Sequence, residues 1–204
     1  MKTVTIVSEV DRDACRGCLT CTKVCPVYAI TVQNKKAVVN LDKCMGCANC
    51  ADRCPYHAIK MVKRAEPRTV GVDVSHYDYK KIRVLCEKAH LNPEQVICYC
   101  TGVRAEEVAA AILGGAKTPE EISLLTGIRT GCTIECNQPL LRLIQAAGLP
   151  LKRNKNGWQW YGITVTAWDL PDKVKEQYGK RFYFDEDRAL LDRVVHSSGS
   201  EGEK

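Results

Sequence analysis

The stretch "DACRGCLTCTKVCPVYAI", beginning at Asp13, returns twenty-nine residues later as "DKCMGCANCADRCPYHAI". Both copies keep the spacing C-x-x-C-x-x-C-x-x-x-C-P, so Cys15, Cys18, Cys21 and Cys25 are matched by Cys44, Cys47, Cys50 and Cys54. The match extends to Gly17 with Gly46, Pro26 with Pro55, Ala29 with Ala58 and Ile30 with Ile59. A chain built this way uses one structural unit twice. Around the runs, "KTVTIV", "AITVQ" and "AVVNL" alternate apolar and polar residues, with "NKK" as a turn signal between the last two. That alternation is the mark of half-buried strands, so the unit reads as strand, helix, strand.

The chain has thirteen cysteines. Its opening segment lacks the apolar core and small-residue cleavage site of a signal peptide, and no run of about eighteen apolar residues could cross a bilayer. A cytoplasmic location with no membrane span is expected, and thiols there stay reduced unless something binds them. The spacing of each run is a cluster-binding signature in which the fourth cysteine serves the other cluster. A short loop can wrap three corners of a cubane before the chain must leave, so the fourth thiolate comes from elsewhere. Structural zinc, which prefers two separated pairs of ligands, suits four interlaced thiols less well. From Met1 to about Arg64 the sequence resembles the two-cluster clostridial-type ferredoxins. That resemblance implies two 4Fe-4S clusters, one held by Cys15, Cys18, Cys21 and Cys54, the other by Cys44, Cys47, Cys50 and Cys25. Gly17 and Gly46 would let the loops turn their amides inward, and Pro26 and Pro55 would redirect the chain after the last ligand.

Farther on, "VICYCTGV" and "GCTIEC" place Cys98, Cys100, Cys132 and Cys136 as C-x-C, a gap of thirty-one residues, then C-x-x-x-C. They make one more four-thiolate set. The gap holds helix signals: "RAEEVAAAILGG" ends in two glycines, and "TPEEISLLTG" has a capping box with proline in its first turn. A third helix is expected to start at Cys136, which sets its amides beside an anionic group. Val96 to Gly148, including "AAAILGGAKTPEEI", resembles the bacterioferritin-associated ferredoxin type of 2Fe-2S domain, although that family commonly closes with C-x-x-C. The resemblance implies a 2Fe-2S cluster on these four cysteines, with zinc as the alternative, since four thiolates suit both. Such domains also occur attached to nitrite reductases and flavin-dependent dehydrogenases, which implies a redox partner protein such as a flavin-containing dehydrogenase or reductase subunit.

The remaining cysteine, Cys86, falls on the apolar stripe of a helix expected around Tyr79 to Ala89 and reads as a small core residue. His57 has Tyr28 as its counterpart in the repeat, and His76, His90 and His196 have no ligand constellation near them; all four read as structural. "AEPRTVG", from Ala65 to Gly71, has the composition of a connector. The expected organisation is a two-cluster domain over 1–66, a linker and helix over 67–95, a 2Fe-2S domain over 96–148, a small C-terminal region over 149–195 and a disordered tail over 196–204. In that last region "NGWQWYGITVTAW" and "KRFYF" read as strands, and the aromatic residues from Trp158 to Phe184 as a core of their own. The fold class is therefore α+β: a ferredoxin-like βαββαβ module, a small all-helical module, then a small α/β appendage.

Met1 to Arg64 carries eleven Lys and Arg against five Asp and Glu, an excess of +6, with Lys35, Lys36, Lys60, Lys63 and Arg64 expected on a surface that suits an acidic partner. "TPEEISLLTG" contains no lysine or arginine, which is wrong for a helix that contacts phosphates, so no nucleic acid is expected. No G-x-G-x-x-G or G-K-[ST] run occurs. The expected function is electron transfer, as a carrier or as a non-catalytic subunit of an oxidoreductase. A redox-sensing regulator and an iron-release partner of a storage protein are the alternatives.

Overall fold

The computed structural model describes residues 1–152 and 162–197. It is a mixed α/β structure with small sheets and, among the described residues, eight α-helices. The first part runs β1 (Lys2–Val10), α1 (Thr20–Val24), β2 (Ile30–Gln33), β3 (Lys36–Val39), α2 (Asn49–Asp52) and β4 (Ile59–Val70). β1 pairs antiparallel with β4, and β2 with β3. The β2–β3 hairpin turns on Asn34 and Lys35 at φ 49° and 58°, and a two-residue turn with both φ positive follows the natural twist of its strands.

The repeat is as plain in the backbone as in the sequence. Gly17 and Gly46 adopt φ 68° and 63°, Leu19 and Ala48 67° and 62°, Tyr28 and His57 48° and 49°. Asp11 Oδ1 accepts from the amides of Asp13 and Ala14, and Asn40 Oδ1 accepts from the Lys43 amide, so a side-chain turn opens each loop. Both cysteine loops pack tightly on main chain: a Cβ on Gly17 would stand 2.5 Å from the Lys35 carbonyl oxygen, and one on Gly46 2.6 Å from that of Ile6. Alanine at position 46 therefore meets a backbone atom that has no rotamer to move to, on top of the roughly 1–2 kcal/mol that a left-handed conformation costs a residue with a side chain. Gly46→Ala should lower stability by about 2 kcal/mol in chemical denaturation; an unchanged midpoint would refute this account of the loop.

The expected connector at Ala65–Gly71 is not one. β4 continues to Val70, which lies opposite Lys2, with Thr69 opposite Thr3 and Arg68 opposite Val4. The ladder is irregular between Val4 and Ile6, where Ile6 pairs with Lys63. The bulge absorbs Pro67, which has no N–H to give to a regular ladder. Val4, Val7, Ile30, Met45, Ile59 and Val70 fill the core of this part, which also buries six of its eight cluster-motif cysteines.

A second core forms around α3 (Tyr79–Lys88), α4 (Ala105–Leu113), α5 (Pro119–Thr126) and α6 (Asn137–Ala146). Asp78 caps α3 by accepting from the Lys80 amide. Thr118 and Glu121 exchange the two bonds of a capping box at α5, and Gly127 ends that helix at φ 80°. Cys86 is fully buried, as its place on the apolar stripe of α3 requires, and burial pushes its thiol up to about 12. This part is not all-helical as expected: β5 (Val96–Cys98) and β6 (Val103–Arg104) form a short ribbon. Gly102, at φ 67°, provides the reversal between them.

The C-terminal part also departs from the expectation. Its described elements are α7 (Asp172–Tyr178) and α8 (Phe184–Val195), with no strand among the described residues of this part. Phe184 begins α8, not the end of a strand, because Asp185, Glu186 and Asp187 in the next positions favour a helix N-terminus. The strand expected from Trp158 begins outside the described residues, and Gly162 to Thr166 are not in a strand. Nor do these residues build their own core: Val195 alone of the described residues in 162–197 is buried. They lie as a strap on the helical core instead. Trp168 stacks on His90 at 4.3 Å between ring centroids and donates from Nε1 to Asp192 at 2.7 Å. Asn92 Nδ2 donates to the carbonyl oxygens of Val194 and Ser197, so the first residues of the expected tail pack on the helical core, and 198–204 lie outside the described residues. No helix among the described residues is long and apolar enough to cross a membrane.

Candidate metal centres

The two cysteine runs exchange their last members in space. One cavity is walled by Cys15, Cys18, Cys21 and Cys54, with Val32, Ala37 and Ile59 adding apolar lining. A second is walled by Cys25, Cys44, Cys47 and Cys50, with Val27, Ile30 and Met45. Each set is thus three thiols from one run and one from the other. The exchange follows from the chain path: α1 carries Cys21 inward and then ends, and the extended backbone at Cys25 carries that sulfur to the other side of the core.

Backbone amides are aimed at these sulfurs. The amides of Ala29 and Ala58 donate to Cys25 and Cys54 Sγ at 3.2 and 3.4 Å, the same four-residue step in each half. The Ala37 amide, at the start of β3, donates to Cys15 Sγ at 3.4 Å, and Ser8 Oγ lies 3.0 Å from Cys50 Sγ. Burial foremost, then the neighbouring thiolates, pushes Cys21 up to about 11. Burial likewise pushes Cys47 up to about 11 and raises Cys25 and Cys50. Sulfurs packed this closely out of water repel one another as thiolates, and a polynuclear cation with sulfur-directed amides around it is the group that relieves the repulsion. Four cysteines stand around each of the two cavities, and four thiolates around a shared space suit a cluster.

The third set gathers from four places. Cys98 ends β5, Cys100 follows it, Cys132 lies in the loop after α5, and Cys136 caps α6. Cys98 and Cys136 are buried, Cys100 and Cys132 exposed. A Cβ on Gly131 would stand 2.5 Å from Cys100 Cβ, so only glycine lets the two arms meet. The Cys132 amide donates to Cys100 Sγ at 3.5 Å, and Thr101 Oγ1 donates to Cys98 Sγ at 3.0 Å. A hydrogen bond from the Cys136 thiol, assisted by Thr101, lowers the Cys98 pKa, and the same bond raises that of Cys136. The three-residue C-x-x-x-C loop closes because Thr133 takes φ 60°. It thereby turns the amides of Ile134 and Glu135 onto Cys132, and the Ile134 amide is the main cause of that thiol's lowered pKa.

Several expected surface groups have internal roles. Lys36 Nζ donates to the Cys15 carbonyl at 2.9 Å, and Arg64 Nη1 donates to the Leu41 carbonyl at 2.7 Å, so both brace cysteine loops. Lys35, Lys60 and Lys63 are exposed as expected. His57 is exposed in the same left-handed conformation as Tyr28, a backbone requirement of the repeat. A separate apolar groove of about 580 Å³ lies between α3 and the ends of α4 and α6, rimmed by Lys80, Lys81, Lys88 and Lys117. It has no cysteine in its wall.

No curated protein and no solved structure matches this chain. Residues 8–55 match the family model of the 4Fe-4S dicluster domain, and residues 96–146 that of the BFD-like [2Fe-2S] binding domain. The chain therefore carries a 4Fe-4S dicluster domain followed by a BFD-like [2Fe-2S] binding domain, with 4Fe-4S and 2Fe-2S clusters as cofactors.

Proposed function

We propose that the protein is an electron-transfer protein or subunit that relays electrons between a redox enzyme and a second carrier through three centres. In this reading Cys15, Cys18, Cys21 and Cys54 hold one 4Fe-4S cluster, and Cys25, Cys44, Cys47 and Cys50 hold the other. Cys98, Cys100, Cys132 and Cys136 hold the 2Fe-2S cluster. The clusters supply one-electron chemistry; the chain supplies spacing, hydrogen bonds to sulfur and exclusion of water.

The observation that carries this reading is the juxtaposition of the third thiol set with the dicluster domain. Cys132 and Thr133 share a cleft with Lys23 and Val24 of α1, Asn49 and Asp52 of α2, and Arg53. Those short helices carry Cys21 and Cys50. Cys18 is exposed at one set and Cys100 at another, so the chain offers two separate edges to outside partners. The partner is a redox protein, and a flavin-containing dehydrogenase or reductase subunit is the class the second domain suits. The dicluster module runs through Val70, the helical module covers about 72–148, and the C-terminal residues strap the latter.

An anaerobic potentiometric titration followed by EPR tests the reading. The reduced protein should show the interacting signal of two cubanes and a distinct 2Fe-2S signal, with iron present and zinc absent on elemental analysis. Two centres only, or zinc at the third set, would sink it.

A further inference from the structure

Lys2 begins β1 opposite Val70, yet its side chain leaves the sheet and enters the seam between the two domains. Its Nζ donates to Thr130 Oγ1 at 2.6 Å and to the Thr130 carbonyl at 3.2 Å. Thr130 is itself buried and fixed, since its hydroxyl donates to the Gly127 carbonyl at 2.6 Å. The lysine stem passes Gly127: a Cβ there would touch Lys2 Cδ at 3.3 Å, with Met45 Cε at 3.8 Å. Met45 follows Cys44, and Thr130 precedes the Gly131–Cys132 arm, so the ammonium is held between the loops of two cysteine sets. The groups whose field reaches it are Cys47, Cys98, Cys44 and Cys100, two from each set. Burial works against its charge and those four sulfurs support it.

A long, strongly hydrated side chain is not drawn into a seam by packing alone, because the ammonium loses water there. Two anionic groups, one on each side, offset that loss. Each becomes more negative by one charge when reduced, and a fixed cation beside it favours the reduced form.

We propose that Lys2 is a positioning residue shared by two centres: its Thr130-anchored ammonium raises the reduction potentials of the Cys25/Cys44/Cys47/Cys50 cluster and the 2Fe-2S cluster together. The inference rests on the ligand sets proposed above. It gives the relay an order, with the Cys15/Cys18/Cys21/Cys54 cluster at the far end. One electron lost on one side of the lysine is gained on the other, and Lys2 itself takes up neither electron nor proton.

The test compares the loaded full-length protein with Lys2→Met, which keeps the stem and removes the charge, and Lys2→Arg, which keeps the charge. In EPR-monitored titrations Lys2→Met should shift the reduction equilibrium of the 2Fe-2S centre and of one cubane about tenfold toward oxidised, about 59 mV for a one-electron couple. The other cubane should stay put, and Lys2→Arg should retain most of the original potentials. Lys60→Met, which removes an exposed charge opposite Glu9 on the same ladder, should move none of them. If Lys2→Met fails to load its clusters, Thr130→Val removes the 2.6 Å anchor and should give a smaller shift in the same two centres. Potentials unmoved in the neutral variant, or all three moved alike, overturn the proposal, since a merely structural lysine would alter the melting temperature and not this pattern. Failure of the ligand reading is separable, because it would appear in the wild-type iron content and EPR before any lysine is changed.

Discussion

Cys25→Ala should strip iron from the cluster of the opposite run. Cys25 lies in the first run by sequence but stands in the same cavity as Cys44, Cys47 and Cys50. Its removal takes away one of four thiolates and the acceptor for the Ala29 amide. The Cys15, Cys18, Cys21 and Cys54 set keeps all its sulfurs. The purified variant should lose between about one and four iron atoms per chain, depending on whether an incomplete cluster survives. Mössbauer or EPR spectra should show the loss in a single cubane, with the 2Fe-2S signal kept. The discriminating comparison is Cys54→Ala, which should damage the other cubane. If Cys25→Ala and Cys18→Ala injure the same cluster, the exchange between runs is wrong.

The second large effect is expected at an ion pair that contains no sulfur ligand. Arg129 is 1% exposed, and its guanidinium faces Glu120 of α5, Nη1 to Oε1 at 3.6 Å. An arginine does not shed its proton to escape a core, so Glu120→Gln leaves the charge buried without that carboxylate. Breaking a buried pair from one side costs about 3–5 kcal/mol. Arg129 also takes φ 65° and presents its amide to Cys98 and Cys136, so strain released there reaches the third cysteine set. Glu120→Gln should lower denaturation stability by that amount and speed bleaching of the 2Fe-2S chromophore. The double variant Glu120→Gln with Arg129→Met should lose less than Glu120→Gln alone, because neither charge then remains. Simple additivity of the two single variants would refute the pairing.

The sequence was most informative where chemistry imposes spacing. The doubled cysteine run announces its clusters because four ligands on a short loop leave few arrangements, and the capping box at Thr118 and Glu121 marks α5 by local bonds alone. Much of what was missed depends on partners distant in the chain. Pro67 looks like a break when read locally, yet the bulge that accommodates it is a property of the pairing with β1. Lys36 and Arg64 look like solvated charges until the carbonyls of Cys15 and Leu41 are seen beside them. The β5–β6 ribbon is too short for any periodicity to show. The aromatic residues near the C-terminus suggested a core of their own, but Trp168 found its stacking partner, His90, across seventy-eight positions of sequence.

β4 carries one more consequence. A carrier module on a loose tether meets its neighbour by diffusion, and the length of the tether sets how often. Here the chain leaves the dicluster domain as a strand hydrogen-bonded to β1 up to Val70, and Lys2, at the other end of that last pair, is fastened to Thr130. The internal electron step of such a molecule should therefore be indifferent to solvent viscosity and dilution. Its exchange with an outside partner should slow with both, so viscosity separates the two steps in a single kinetic trace.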